Sequence, residues 1–205
     1  MIRKTGTILT GVGIMLMLAG LCLFLWNRRE AEQASERAAD VLAQIKEVME
    51  RGAALPQITG GETAEGSGER GKETDMPAIT IDGYEYAGYI GIPALELELP
   101  VMARWSYPRL KIAPCRYCGT AAEGNLVIAA HNYPRHFGGL SKLQKGDEVY
   151  FTDMEGTVWQ YRVEAVEVLS PEAVEEMTDG TYGLTLFTCT YGGANRVTVR
   201  CVEAE

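Results

Sequence analysis

The chain has 205 residues, 46% of them hydrophobic, and 28 Asp and Glu against 19 Lys and Arg give a formal charge of -9. That length holds one modest globular domain with accessories and no large multidomain enzyme. The acidic balance, without any Lys/Arg-rich block, argues against nucleic acid as a partner, since phosphate recognition needs a surplus of cations. Five Cys and two His are too few for a disulfide-framed scaffold or a histidine-rich metal centre. No metal and no cofactor is therefore expected, and any chemistry rests on few side chains.

Residues 7–26, TILTGVGIMLMLAGLCLFLW, run for 20 residues without a charge. At about 1.5 Å of rise per residue that is roughly 30 Å, the thickness of a hydrocarbon core. Arg3 and Lys4 precede the run, Arg28 and Arg29 follow it, and Trp26 stands where an interfacial aromatic is expected. Residues 1–27 read as a transmembrane signal anchor. The rival is a cleaved signal peptide, but the run exceeds a usual h-region and no small-x-small cleavage site follows. The flanking charges nearly tie; a short N-terminus inside and the acidic remainder outside is the simpler arrangement, which makes the rest of the chain extracytoplasmic.

Over residues 28–53, Ala38, Val41, Leu42, Ile45, Val48 and Met49 recur at helical spacing before Gly52, predicting an amphipathic stalk helix. Its apolar seam can pair with a partner chain but covers few heptads, so a helix lying against the head or the membrane is an equal expectation. Residues 54–78 read as a flexible linker, because TGGETAEGSGERGKETD at 59–75 carries five Gly and almost no large apolar side chain.

The head, residues 79–205, has a β texture. YAGYIGI, LELELPVMA, NLVIAAH, DEVYFTD, TVWQYRVEAVEVL, LTLFTCT and RVTVRCV are short runs rich in β-branched and aromatic residues. Glu96 and Glu98 between Leu95, Leu97 and Leu99 show the alternation most plainly. PEAVEEM is the best short helix, and HFGGLSKL a turn or two. Seven or more strands with few helices predict a mainly β fold, a closed barrel or sandwich. There is no βαβ alternation, GxGxxG or P-loop to support a nucleotide site.

Cys189 ends a strand-like run before the Gly-rich TYGGAN, a place that suits a nucleophile, although a lone strand Cys is more often a buried small hydrophobe. His131 ends NLVIAA at another strand edge, where an imidazole can carry a proton between a thiol and a leaving amine. His136, in YPRHFGGL, competes for that role and reads as structural. Arg196 begins the returning strand one loop after Cys189 and can face the charge that develops on a carbonyl oxygen. Arg200 reads as an exposed strand arginine. Cys115 and Cys118 form CRYC, open to three readings: disulfide, half a zinc site, or free thiols.

Taken together, YIGIPALELELPV, NLVIAAHN and TLFTC followed by Arg196 resemble the sortase family, the cysteine transpeptidases of Gram-positive cell surfaces. The resemblance covers most of the head. It implies a closed sortase-like β-barrel with short helices, preceded by the transmembrane helix and the stalk. By the same resemblance Cys189 is the nucleophile, His131 the general acid and base, and Arg196 the oxyanion or substrate-positioning residue. The implied reaction cleaves an LPxTG-like sorting signal through a thioacyl-enzyme. The implied partners are surface proteins with a C-terminal sorting signal and an amine of a cell-wall precursor or pilin, at the cell membrane. IAAHN departs from the Gly that many members carry before the His. Two readings compete: a noncatalytic β-domain for binding or adhesion, and a papain-like cell-wall peptidase, whose Cys usually precedes its His.

Overall fold

The computed structural model describes residues 2–51 and 76–204, so nearly all of the predicted linker lies outside the described residues. Anchor and stalk form one helix, α1 (Ile2–Glu50), 49 residues long. The head begins with β1 (Ile79–Ile81), β2 (Tyr84–Ile92) and β3 (Leu97–Met102). Then come α2 (Tyr107–Leu110), β4 (Cys115–Cys118), β5 (Leu126–Ala129), β6 (Glu148–Asp153) and β7 (Val158–Leu169). α3 (Val174–Met177), β8 (Leu184–Cys189) and β9 (Arg196–Glu203) complete it. Single 3-10 turns lie at Pro93–Leu95 and Phe137–Lys142.

The strands pair in the order β1-β2-β3-β4-β5-β8-β9-β7-β6, and β6 pairs back onto β2. Eight strands thereby close into a barrel with β1 appended to the edge of β2, which leaves few unpaired backbone groups. Closure depends on Gly88, where β2 bulges and turns to φ +149. A Cβ there would meet the Thr152 carbonyl oxygen at 2.1 Å, so any other residue pushes β6 away.

Alternation along the strands sorts inside from outside. On β8, Leu184 and Leu186 point into the main core with Leu126, Ile128, Val199 and Cys201, which leaves Thr185, Phe187 and Cys189 on the outer face. A second cluster lies under α1. Tyr86, Met102 and Cys115, cross-strand neighbours on β2, β3 and β4, pack with Ile79, Ile81 and with Val41 and Ile45 of the helix. Ala34, Ala38, Val41 and Ile45, spaced by four, three and four residues, are all buried, so the lower half of α1 lies against the head. Fully burying a Val or Ile side chain is worth about 1.5–3 kcal/mol, more than the flanking ion pair of Lys46 with Glu98 at 2.5 Å, because exposed pairs contribute about 0–1 kcal/mol.

Both predicted short helices are present, as α3 and the turn at Phe137–Lys142. The alternation read from Leu95 begins two residues later, since Leu95 closes a 3-10 turn and Glu96 takes a left-handed conformation at φ 53. β1, β4 and α2 were not anticipated.

Candidate active site

β8 is the central strand of the site, flanked by β5 on one side and β9 on the other. β5 and β8 run parallel with Ala129 opposite Phe187. His131 lies two residues past Ala129 and Cys189 two past Phe187, so the imidazole and the thiol come off neighbouring strand ends at the same level and on the same face. On the other side β9 is antiparallel, and Arg196 is the direct cross-strand partner of Cys189, a pairing that sets Cβ atoms about 4.5–5.5 Å apart. Two hydrogen bonds hold the strand ends together: Thr188 Oγ1 donates to the Ala130 carbonyl at 2.8 Å, and Asn132 Nδ2 to the Thr190 carbonyl at 3.4 Å. The turn between β8 and β9 closes through Thr190 N to Asn195 O at 2.9 Å. Arg196 Nη1 donates to the carbonyls of Gly193 and Asn195, both at 3.2 Å, so the guanidinium is held over the mouth of the turn. The three residues that the sequence singled out thus meet at one end of the barrel.

A family model described as "Sortase domain" matches residues 90–204. The chain belongs to the sortase family. Sortase A of Bacillus anthracis is 31% identical over 121 residues, which make up 56% of this chain and 57% of that one. The chain therefore spans little more than half the length of that relative. Among solved structures, sortase C1 from Streptococcus suis is 30% identical with a TM-score of 0.53, covering 60% of this chain and 74% of the other. A Clostridium perfringens sortase D5 transpeptidase is 25% identical with a TM-score of 0.51 over 58% and 79%. Both solved structures are similar in fold to the barrel found here.

Electrostatics separates the cysteines of this sortase. Cys115 and Cys201 are fully buried, and burial pushes both thiols up to about 12, which suppresses the thiolate that attacks. Cys189 is half-buried at the strand end. Cys115 and Cys118 stand as separate thiols, the first with its Sγ against the Ala113 carbonyl at 3.5 Å. Of the three readings of CRYC, the disulfide is not formed here.

His131 is half-buried and stacked on Tyr133, ring centroids 4.9 Å apart at 26°. Burial pushes its pKa down, the Lys111 ammonium pushes the same way, and Glu30 partly opposes them. The imidazole is therefore held neutral at neutral pH, the form that accepts a thiol proton. Sequence reasoning missed this surrounding group. Glu30 belongs to α1 and its Oε1 lies 3.0 Å from Lys111 Nζ, a contact between distant segments that no local pattern announces. His136 is fully buried and tilted on Tyr133 at 5.5 Å, in keeping with its structural reading.

Arg200 overturns its expectation. It is 3% exposed: Nη1 donates to Thr185 Oγ1 at 3.3 Å and to the Met177 carbonyl at 3.4 Å, Nη2 to the Glu176 carbonyl at 2.5 Å, and Nε meets Glu167 Oε2 at 3.3 Å. Alternation put its side chain on the outer face correctly, but residues 170–183 fold back over that face and cover it.

Proposed function

We propose that the chain is a membrane-anchored cysteine transpeptidase that cleaves an LPxTG-like sorting signal. His131 takes the Cys189 thiol proton as the sulfur attacks the scissile carbonyl carbon. The resulting oxyanion faces Arg196. Collapse of the tetrahedral intermediate breaks the C–N bond, the imidazolium returns its proton to the leaving amine, and a thioester remains on Cys189. An acceptor amine, from a cell-wall precursor or a pilin, then gives up a proton to His131 as it attacks the thioester carbon; collapse breaks the C–S bond, and the imidazolium returns the proton to the Cys189 sulfur. The partners are surface proteins carrying a C-terminal sorting signal, and lipid around the span at residues 7–26. The head is extracytoplasmic and the chain crosses the cell membrane once.

What supports this reading is the register: the parallel β5–β8 pairing and the antiparallel β8–β9 pairing bring the strand ends that carry His131 and Arg196 alongside the end that carries the half-buried Cys189. The test is intact-mass analysis of the full chain after incubation with a library of sorting-signal peptides. The expected result is an acyl adduct on Cys189, absent from Cys189→Ala, which keeps the circular dichroism and melting of the parent. Cleavage that persists in Cys189→Ala, or no adduct from any peptide, overturns it.

A further inference from the structure

The anchoring helix and the reaction centre meet. α1 runs unbroken over Ile2–Glu50 and contains no Pro, so it transmits direction and distance from the bilayer to the head. Trp26 ends the uncharged run, and Glu30 comes one turn later, about 6 Å along the axis. That carboxylate is paired with Lys111 at 3.0 Å and acts electrostatically on Tyr133, whose ring stacks on His131. At the other end of the packed segment, Lys46 pairs with Glu98 and Met49 reaches the turn at Gly156. Glu30 and Met49 are 19 residues apart, roughly 28 Å of helix. The barrel is thus strapped along α1 with its His131 end nearest the span.

Charge agrees with that orientation. Segments 103–112, 130–137 and 189–196 gather at this end through the β4, β5 and β8 termini. They hold Arg104, Arg109, Lys111, Arg135 and Arg196 and no Asp or Glu of their own, in a chain of net charge -9; Glu85 and Glu30 from neighbouring elements pair with Arg104 and Lys111, which leaves the cations in excess. Tyr107 and Tyr191, 74% and 103% exposed, add the amphipathic aromatics that favour a headgroup layer. We infer that the reaction centre is held at the level of the lipid headgroups, with these three segments against an anionic bilayer surface. The inference rests on residues 7–26 being a membrane span. Its chemical consequence is that the mouth of the site opens at the bilayer surface and is reached along it.

The chain contains its own ruler, because its three tryptophans stand at three heights. Trp26 ends the span, Trp105 belongs to segment 103–112, and Trp159 bonds Asp153 at 3.0 Å beside the far turn. Full-length chains with a single tryptophan, the other two replaced by Phe, are reconstituted in phosphatidylglycerol-rich vesicles. Quenching by nitroxide-headgroup lipid is then measured. Trp26 and Trp105 are expected to be quenched at least three-fold more than Trp159. Trp26 quenched with Trp105 no more quenched than Trp159 overturns the inference and leaves the anchor intact. An unquenched Trp26 removes the anchor and the inference together. If a single-tryptophan chain loses its melting transition, the Trp105 contribution is read instead as the difference between wild type and Trp105→Phe, judged by the same outcomes.

Discussion

His136 is an imidazole shut inside the protein with no hydrogen-bond partner for either ring nitrogen among the described residues. Burial pushes it down to about 4, with nearby His131 adding in the same direction. In the unfolded chain a His titrates near 6.5. Between those values the unfolded chain holds a proton that the folded one refuses, so stability is full above about pH 6.5 and falls as the pH drops toward 4. The loss is on the order of 3 kcal/mol. Denaturant titrations across that window should show it, and His136→Phe should flatten most of the slope, leaving the smaller part due to His131. Equal slopes in the two proteins would show that His136 is not the cause. His131, Cys189 and Arg196 were legible in the sequence because each borders a run with clear strand character. Arg200 was not. Alternation tells which way a side chain points and says nothing of what later covers it.

That cover is α3 with its flanking loop, and the element depends on one arginine. A four-residue helix cannot hold itself in water, whereas Arg200 bonds its last carbonyls, stacks over Tyr182 at 5.3 Å and anchors to Thr185 on β8. Since Thr185, Phe187 and Cys189 share a face, residues 170–183 form a wall beside the outer surface of β8. Arg200→Met should cost about 2–3 kcal/mol in thermal or denaturant unfolding. It should also raise KM for a cleaved peptide more than it lowers kcat, because the wall is loosened and the thiol is not. Arg200→Lys should rescue little, since an ammonium lacks the planar fork that reaches four acceptors. A KM that does not move would detach this loop from substrate binding. At the same scale, the longer strands and both helical turns of the head could be read from period and punctuation. β1, β4 and α2, at three or four residues, show no period, and they lack the longer run around them that marks the equally short β5 and α3.

For the whole molecule, α1 has two environments in one helix. Its first half is apolar on every side, with exposed Leu16, Met17, Leu23 and Phe24, while its second half buries one stripe against the head. A chain starting after Asn27 should therefore stay in the supernatant after ultracentrifugation and melt like the parent, while the full chain pellets with membranes. Starting instead after Gly52 strips Val41 and Ile45 from the second cluster and should lower unfolding stability by at least about 3 kcal/mol. Sedimentation of the first truncation with membranes would mean that the span has been misread. The sequence showed the two halves of the helix by composition, yet the continuity between them and the contact of Glu30 with the reaction centre arise from packing of distant segments.

The position of β9 carries a last consequence. It enters between β7 and β8, so until this strand docks the ring is open and Cys189 has no cross-strand partner on that side.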